Sequence, residues 1–114
     1  MRVFVSGALN SDSIGFLRNV RKMLLLGHEV RALGVRVYVP INDILMDLVG
    51  GCQSCHEDYY NIDLEELKNC DAMILVPGYE ESKGVKGEME FAAKNDIPIF
   101  ETFEGLKKFL EYER

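Results

Sequence analysis

The segment with the most chemical capacity runs Pro77-Gly78-Tyr79-Glu80-Glu81-Ser82-Lys83-Gly84-Val85-Lys86-Gly87-Glu88-Met89-Glu90. Gly78, Gly84 and Gly87 let a ligand come close to the backbone. Ser82 is a good helix N-cap, and the free amides of the turn after it form an anion site. Lys83 and Lys86 add positive charge there. Glu88 lies about one and a half turns into the predicted helix, so its carboxylate can project into the same cleft. The combination is an anion cradle with a carboxylate beside it. The same residues also fit a plain loop leading into a solvated acidic helix, and neither a dinucleotide nor a P-loop pattern is present.

Other candidates are weaker. Asp63, in Tyr59-Tyr60-Asn61-Ile62-Asp63-Leu64, falls within an amphipathic helix and reads from its surroundings as an ordinary surface aspartate. Asp71 precedes a strand and reads as a turn residue. Cys52-Gln53-Ser54-Cys55-His56 has the spacing of c-type haem attachment and of half a zinc site. Haem attachment requires export, and zinc requires a second ligand pair, for which only Cys70 and His28 remain. Two free thiols in a loop are the preferred reading, with a Cys55–His56 nucleophile as the alternative. No metal and no cofactor are expected.

These residues need a scaffold. Val3-Phe4-Val5 is an apolar run closed by Ser6-Gly7, a buried strand and a turn. Asn10-Ser11-Asp12-Ser13 offers N-caps for a helix in which Ile14, Leu17, Val20, Leu24, Val30 and Leu33 recur at helical spacing, stopped at Gly34. Gly27 inside it implies either close packing on the sheet or a break. Val35, Val37 and Val39 mark a second strand ended by Pro40. A short helix over 42–48 leads to Gly50-Gly51, and a further helix over 58–69 presents Ile62, Leu64 and Leu67. Ala72-Met73-Ile74-Leu75-Val76 reads as a central parallel strand covered on both faces. A helix over 82–95, a short strand at Ile97–Phe100 and a terminal helix with Phe103, Leu106, Phe109 and Leu110 complete the chain.

Strand and helix alternate throughout. The fold class expected is therefore α/β: a three-layer open sheet of about four to five mostly parallel strands, flavodoxin- or Rossmann-like, in a single domain over residues 1–114. Such sheets bind ligands at the carboxyl ends of their strands. That rule makes Ser6, Gly7, Pro77 and Gly78 candidate substrate contacts, and the anion site at the helix start adds Ser82 and Gly84.

Composition narrows the function. The chain has 114 residues, 47% hydrophobic and 28% charged, and a formal charge of −6. That sign argues against a nucleic-acid partner but allows a single nucleotide in a locally favourable pocket. No apolar run approaches the ~18–20 residues of a membrane span. The first apolar run is too short for a signal peptide, so the cytoplasm is the expected compartment.

Several of these features, taken in order, resemble one family. Val5-Ser6-Gly7, Asn19-Val20, Gly27, Leu33-Gly34 and Val37-Tyr38-Val39-Pro40 are similar to the first half of the DUF4406 proteins, of the nucleoside 2-deoxyribosyltransferase-like superfamily. Tyr60-Asn61-Ile62-Asp63-Leu64, Cys70-Asp71-Ala72, Leu75-Val76-Pro77-Gly78-Tyr79-Glu80, Ser82-Lys83-Gly84, Glu88, Ala92 and Ile97-Pro98-Ile99 resemble the second half. The resemblance implies cleavage or transfer at the N-glycosidic bond of a nucleoside or (deoxy)nucleoside 5′-monophosphate. It implies Glu88 as the nucleophile, Asp63 as the group serving the base, and Ser82 at the place of a serine in the related 2′-deoxynucleoside 5′-phosphate N-hydrolases. For that chemistry Glu88 is expected to be ionised and Asp63 to supply a proton. The alternative is a nucleotide-binding module that kept the pocket without the chemistry. A partial likeness to the cytokinin-activating phosphoribohydrolases rests on Pro77-Gly78-Tyr79 alone. The resemblance also implies a homodimer or higher homo-oligomer. Two departures stand out: the transferases' first-strand tyrosine is replaced by Phe4 and Ser6, and Glu90 stands where a glycine is usual.

Overall fold

The computed structural model describes residues 1–8, 13–41, 45 and 56–113, without the side chains of residues 13 and 56–60. The Asn10–Asp12 caps, the helix expected over 42–48 apart from Leu45, Gly50-Gly51, and the Cys52, Cys55 and His56 side chains lie outside the described residues.

The elements alternate as expected. Strand β1 (Arg2–Ser6) is followed by helix α1 (Ser13–Arg31), β2 (Arg36–Tyr38), α2 (His56–Lys68), β3 (Ala72–Leu75), a single 3₁₀ turn (Tyr79–Glu81), α3 (Lys83–Lys94), β4 (Ile99–Phe100) and α4 (Phe103–Glu113). The described strands form one four-stranded sheet in the order β2-β1-β3-β4. Every pairing is parallel, with Val3 opposite Val37 and Ala72, and Met73 opposite Ile99. After β1 the chain crosses to one side, and after β3 to the other. The carboxyl ends of β1 and β3 therefore flank the switch point of the sheet, the usual ligand crevice of this architecture.

The period-two alternation of the strands makes two cores. Val3, Val5, Ala72 and Ile74 face α1 and α4, where they meet Val20, Met23, Val30, Leu106 and Leu110. Phe4, Met73 and Leu75 face α2 and α3, where they meet Leu67, Val85 and Ala92. β3 is buried throughout and β1 from Val3 to Ser6, as a parallel sheet sandwiched between helices requires.

Two helices divide their apolar residues differently from the sequence expectation. In α1, Val20, Met23 and Val30 are buried, but Ile14, Leu17 and Leu24 point outward. In α2, Ile62 is exposed and Asp63 is half-buried, so the inner stripe is Asp63, Leu64 and Leu67. Helix α1 runs unbroken through Gly27. A Cβ there would stand 2.9 Å from Val39 Cγ2, so the glycine serves close helix–sheet packing. Asp71 is structural, as expected: its carboxylate accepts the Arg2 backbone N–H at 2.8 Å.

Candidate functional site

The site begins with a polar pair where the strand and helix patterns call for apolar residues. On β1, Ser6 shares the face of Phe4 and is fully buried. On α3, Val85, Glu88 and Ala92 are the buried residues, at the spacing of one inward stripe. Glu88 thus occupies a core position. The two meet: the Ser6 hydroxyl donates to Glu88 Oε1 at 2.7 Å, across 82 residues of chain.

Burial is the main influence on this carboxyl. Desolvation pushes Glu88 from an ordinary 4.5 up to about 8; the Ser6 hydrogen bond opposes the rise and the negative field of Asp63 adds to it. Asp63 comes from α2, one turn before the buried Leu67, and so stands on the side of that helix facing the core. The structure thereby brings Asp63 into the electrostatic neighbourhood of Glu88, which its helix pattern did not foretell. The direction of the shift differs from the expectation of an ionised Glu88. Burial thus favours the protonated form of Glu88 at neutral pH.

Beside this pair lies an open cleft of about 430 Å³ at the carboxyl edge of β1 and β3. Pro77, Gly78 and Ser82 line it, together with Ala8, Val76, Glu81 and Lys83. Gly78 holds the turn with φ 95°, a conformation that a side chain resists. Tyr79 then ties the turn to the far edge of the sheet, its hydroxyl donating to Glu101 at 2.8 Å. Ser82 caps α3 by accepting the Val85 N–H at 3.2 Å. The first-turn amides of Lys83 and Gly84 have no acceptor within the helix and are left for a ligand. A Cβ on Gly84 would meet only the Ser82 hydroxyl, at 3.8 Å.

The facing wall was not foreseen. Asn19 and Lys22 of α1 line the cleft opposite the 77–83 segment. Their signal in the sequence is faint: two polar residues one turn apart, beside the buried Val20 and Met23. Gly7 has a packing role, since a Cβ there would lie 2.9 Å from Met23 Cγ and 3.0 Å from Val76 Cγ2. It lets α1 lie close to the sheet and carry Asn19 and Lys22 to the edge. Ser6 and Glu88 themselves sit beside the cleft and are not among its lining residues.

Cys70 is buried, its thiol pushed up to about 11 by desolvation, so it is an inert core residue. Among the described residues no cluster of His, Cys, Asp and Glu is placed to hold a metal ion, and no helix is long and apolar enough to cross a membrane.

No curated protein matches the chain. Residues 1–101 match the family described as "Domain of unknown function (DUF4406)". That match covers all but the last helix, including every residue of the site described above, and the chain therefore belongs to the DUF4406 family.

Proposed function

We propose that the protein cleaves or transfers the N-glycosidic bond of a (deoxy)nucleoside 5′-monophosphate, with Glu88 as the nucleophile. The observation that carries this reading is the buried Ser6–Glu88 pair beside a cleft lined by Lys22, Ser82 and Lys83. A carboxyl buried in a core stripe, at a cost to its ionisation, is the kind of perturbed group that marks working sites. Glu88 follows Ser82 by six residues, about 9 Å along the axis of α3 at the helical rise. A phosphate at the start of that helix and a sugar carbon at Glu88 fit one ligand spanning the two. The likeness to the nucleoside 2-deoxyribosyltransferase-like enzymes supports the same roles, and Ser6 takes up the nucleophile-orienting task that they give to a tyrosine.

In this mechanism the Glu88 carboxylate forms a bond to C1′ as the C1′–N bond breaks. The electron pair leaves with the base, which takes from Asp63 a proton that Glu88 gives up to it as the ligand binds. Water then attacks C1′ and gives its proton back to Asp63, releasing Glu88; a second base in place of water gives transfer. Ligand hydroxyls donating to Glu88 would favour its charged form over the protonated form that burial favours.

A second reading, a nucleotide-binding module without turnover, draws support from that protonated resting state. Incubation with a panel of nucleosides and (deoxy)nucleoside monophosphates separates the two. Free base detected by chromatography, and lost in Glu88→Gln, supports the enzyme. Nucleotide binding with no base released from any of the panel supports the module.

A further inference from the structure

The two walls of the cleft carry one lysine each. Lys83 opens α3, and Lys22 extends from the middle of α1, on the opposite side. Both are exposed, and neither has an ion-pair partner among the described residues. Asn19, one turn before Lys22, adds a neutral amide to the same wall. Among the described residues one acid, Glu81, shares the lining. In a chain of net charge −6 this cleft is a local reversal of sign. The free amides at the start of α3 adjoin Lys83, so positive groups reach the cleft from the α3 side and from the α1 side.

We infer that Lys22 is a specificity-determining residue: with Lys83 it selects ligands that end in a phosphate monoester dianion. The inference rests on the proposed function for the identity of the rest of the ligand, but the charge selection stands on the cleft alone. One lysine and a helix terminus suffice for a singly charged group. A second lysine across the opening favours a group with two negative charges and exposed oxygens on more than one side. A nucleoside, lacking the phosphate, gains nothing from Lys22. A phosphodiester, singly charged and blocked on one side, gains less than a monoester. Glu81 works against the anion and sets an upper bound on its affinity.

The test is calorimetric titration of the full chain with ribose 5-phosphate, a deoxynucleoside 5′-monophosphate, its methyl phosphodiester and the matching nucleoside. Lys22→Met and Glu81→Gln are compared with wild type, with circular dichroism confirming the fold of each. A charged hydrogen bond in a partly open site is worth a tenfold or greater effect on affinity. The expected result is at least tenfold weaker binding of both monoesters in Lys22→Met, tighter binding of both in Glu81→Gln, and a wild-type preference for monoester over diester. Monoester affinity within twofold of wild type in Lys22→Met overturns the inference, as does equal wild-type affinity for monoester and diester. The two readings fail separately. Lys22-dependent binding of ribose 5-phosphate without base release from any nucleotide would sink the glycosidase and leave the selection rule standing. Base release at wild-type KM in Lys22→Met would do the reverse.

Discussion

Glu88→Gln should stabilise the protein, and by an amount that depends on pH in a defined way. In the unfolded chain the carboxyl titrates near its ordinary 4.5, and in the fold burial pushes it up to about 8. Between those values the unfolded state has lost a proton that the folded state still holds. Stability therefore falls as pH rises through the window, by about 1.4 kcal/mol for each pH unit. The whole loss, complete above pH 8, is roughly 5 kcal/mol, which is comparable with the total stability of a small domain. Glutamine keeps the shape, and its amide oxygen still accepts the Ser6 hydroxyl, but it cannot ionise. The difference in unfolding free energy between variant and wild type should thus be small near pH 5 and grow to several kcal/mol by pH 9. Urea unfolding followed by circular dichroism at half-unit steps of pH gives that difference directly, since titrations common to both proteins cancel. A difference that stays level across the range, or shrinks as pH rises, would refute the claim that Glu88 is held protonated by burial.

The same group governs the other pH prediction. If the Glu88 carboxylate attacks C1′ while Asp63 holds the one proton of the pair, kcat/KM for base release is level below about pH 8 and falls above it as that proton is lost; a profile that keeps rising above pH 8 would remove Asp63 as the proton donor. Gly27→Ala should lower the urea midpoint even though alanine is the better helix former by about 1 kcal/mol. The new methyl stands 2.9 Å from a stiff Val39 side chain, and overpacking of that kind costs about 1–3 kcal/mol; a raised midpoint would show that α1 has room to move. The homodimer implied by the family resemblance would find its apolar surface in Ile14, Leu17 and Leu24, which are 65%, 65% and 49% exposed on α1. Light scattering on Leu17→Lys should then give half the wild-type mass; equal masses would remove this face from any interface.

Much of the fold could be read from pattern. The continuous apolar runs at Val3–Val5 and Ala72–Val76 have few alternatives to buried parallel strands, and Ser82 marks the start of α3 to the residue. The errors lie where burial depends on neighbours that are distant in sequence. Helix α1 carries more apolar residues than one face can bury, so spacing alone did not separate Val20, Met23 and Val30 from Ile14, Leu17 and Leu24. Ile62 and Asp63 are adjacent on α2, and the intuitive choice put the wrong one inside.

The site was legible to the same degree. Glu88 breaks an otherwise apolar stripe between Val85 and Ala92, and an acid in such a stripe asks for a partner. Ser6 ends a strand on its inward face and supplies one. Their pairing spans most of the chain and follows only from the order β2-β1-β3-β4, which sets β1 beside β3 and brings α3 over both. Lys22 was invisible for a related reason. Its place at the cleft depends on the close approach that Gly7 gives to α1.

The central claim is that Glu88 bonds covalently to the sugar of a nucleotide. Acid quenching during turnover of a deoxynucleoside 5′-monophosphate, followed by intact-mass and peptide mass spectrometry, examines it directly. The account predicts a deoxyribose 5-phosphate adduct on the Glu88 peptide, absent from Glu88→Gln. Free base with unmodified protein at every quench time, or no base from any nucleotide, would contradict it.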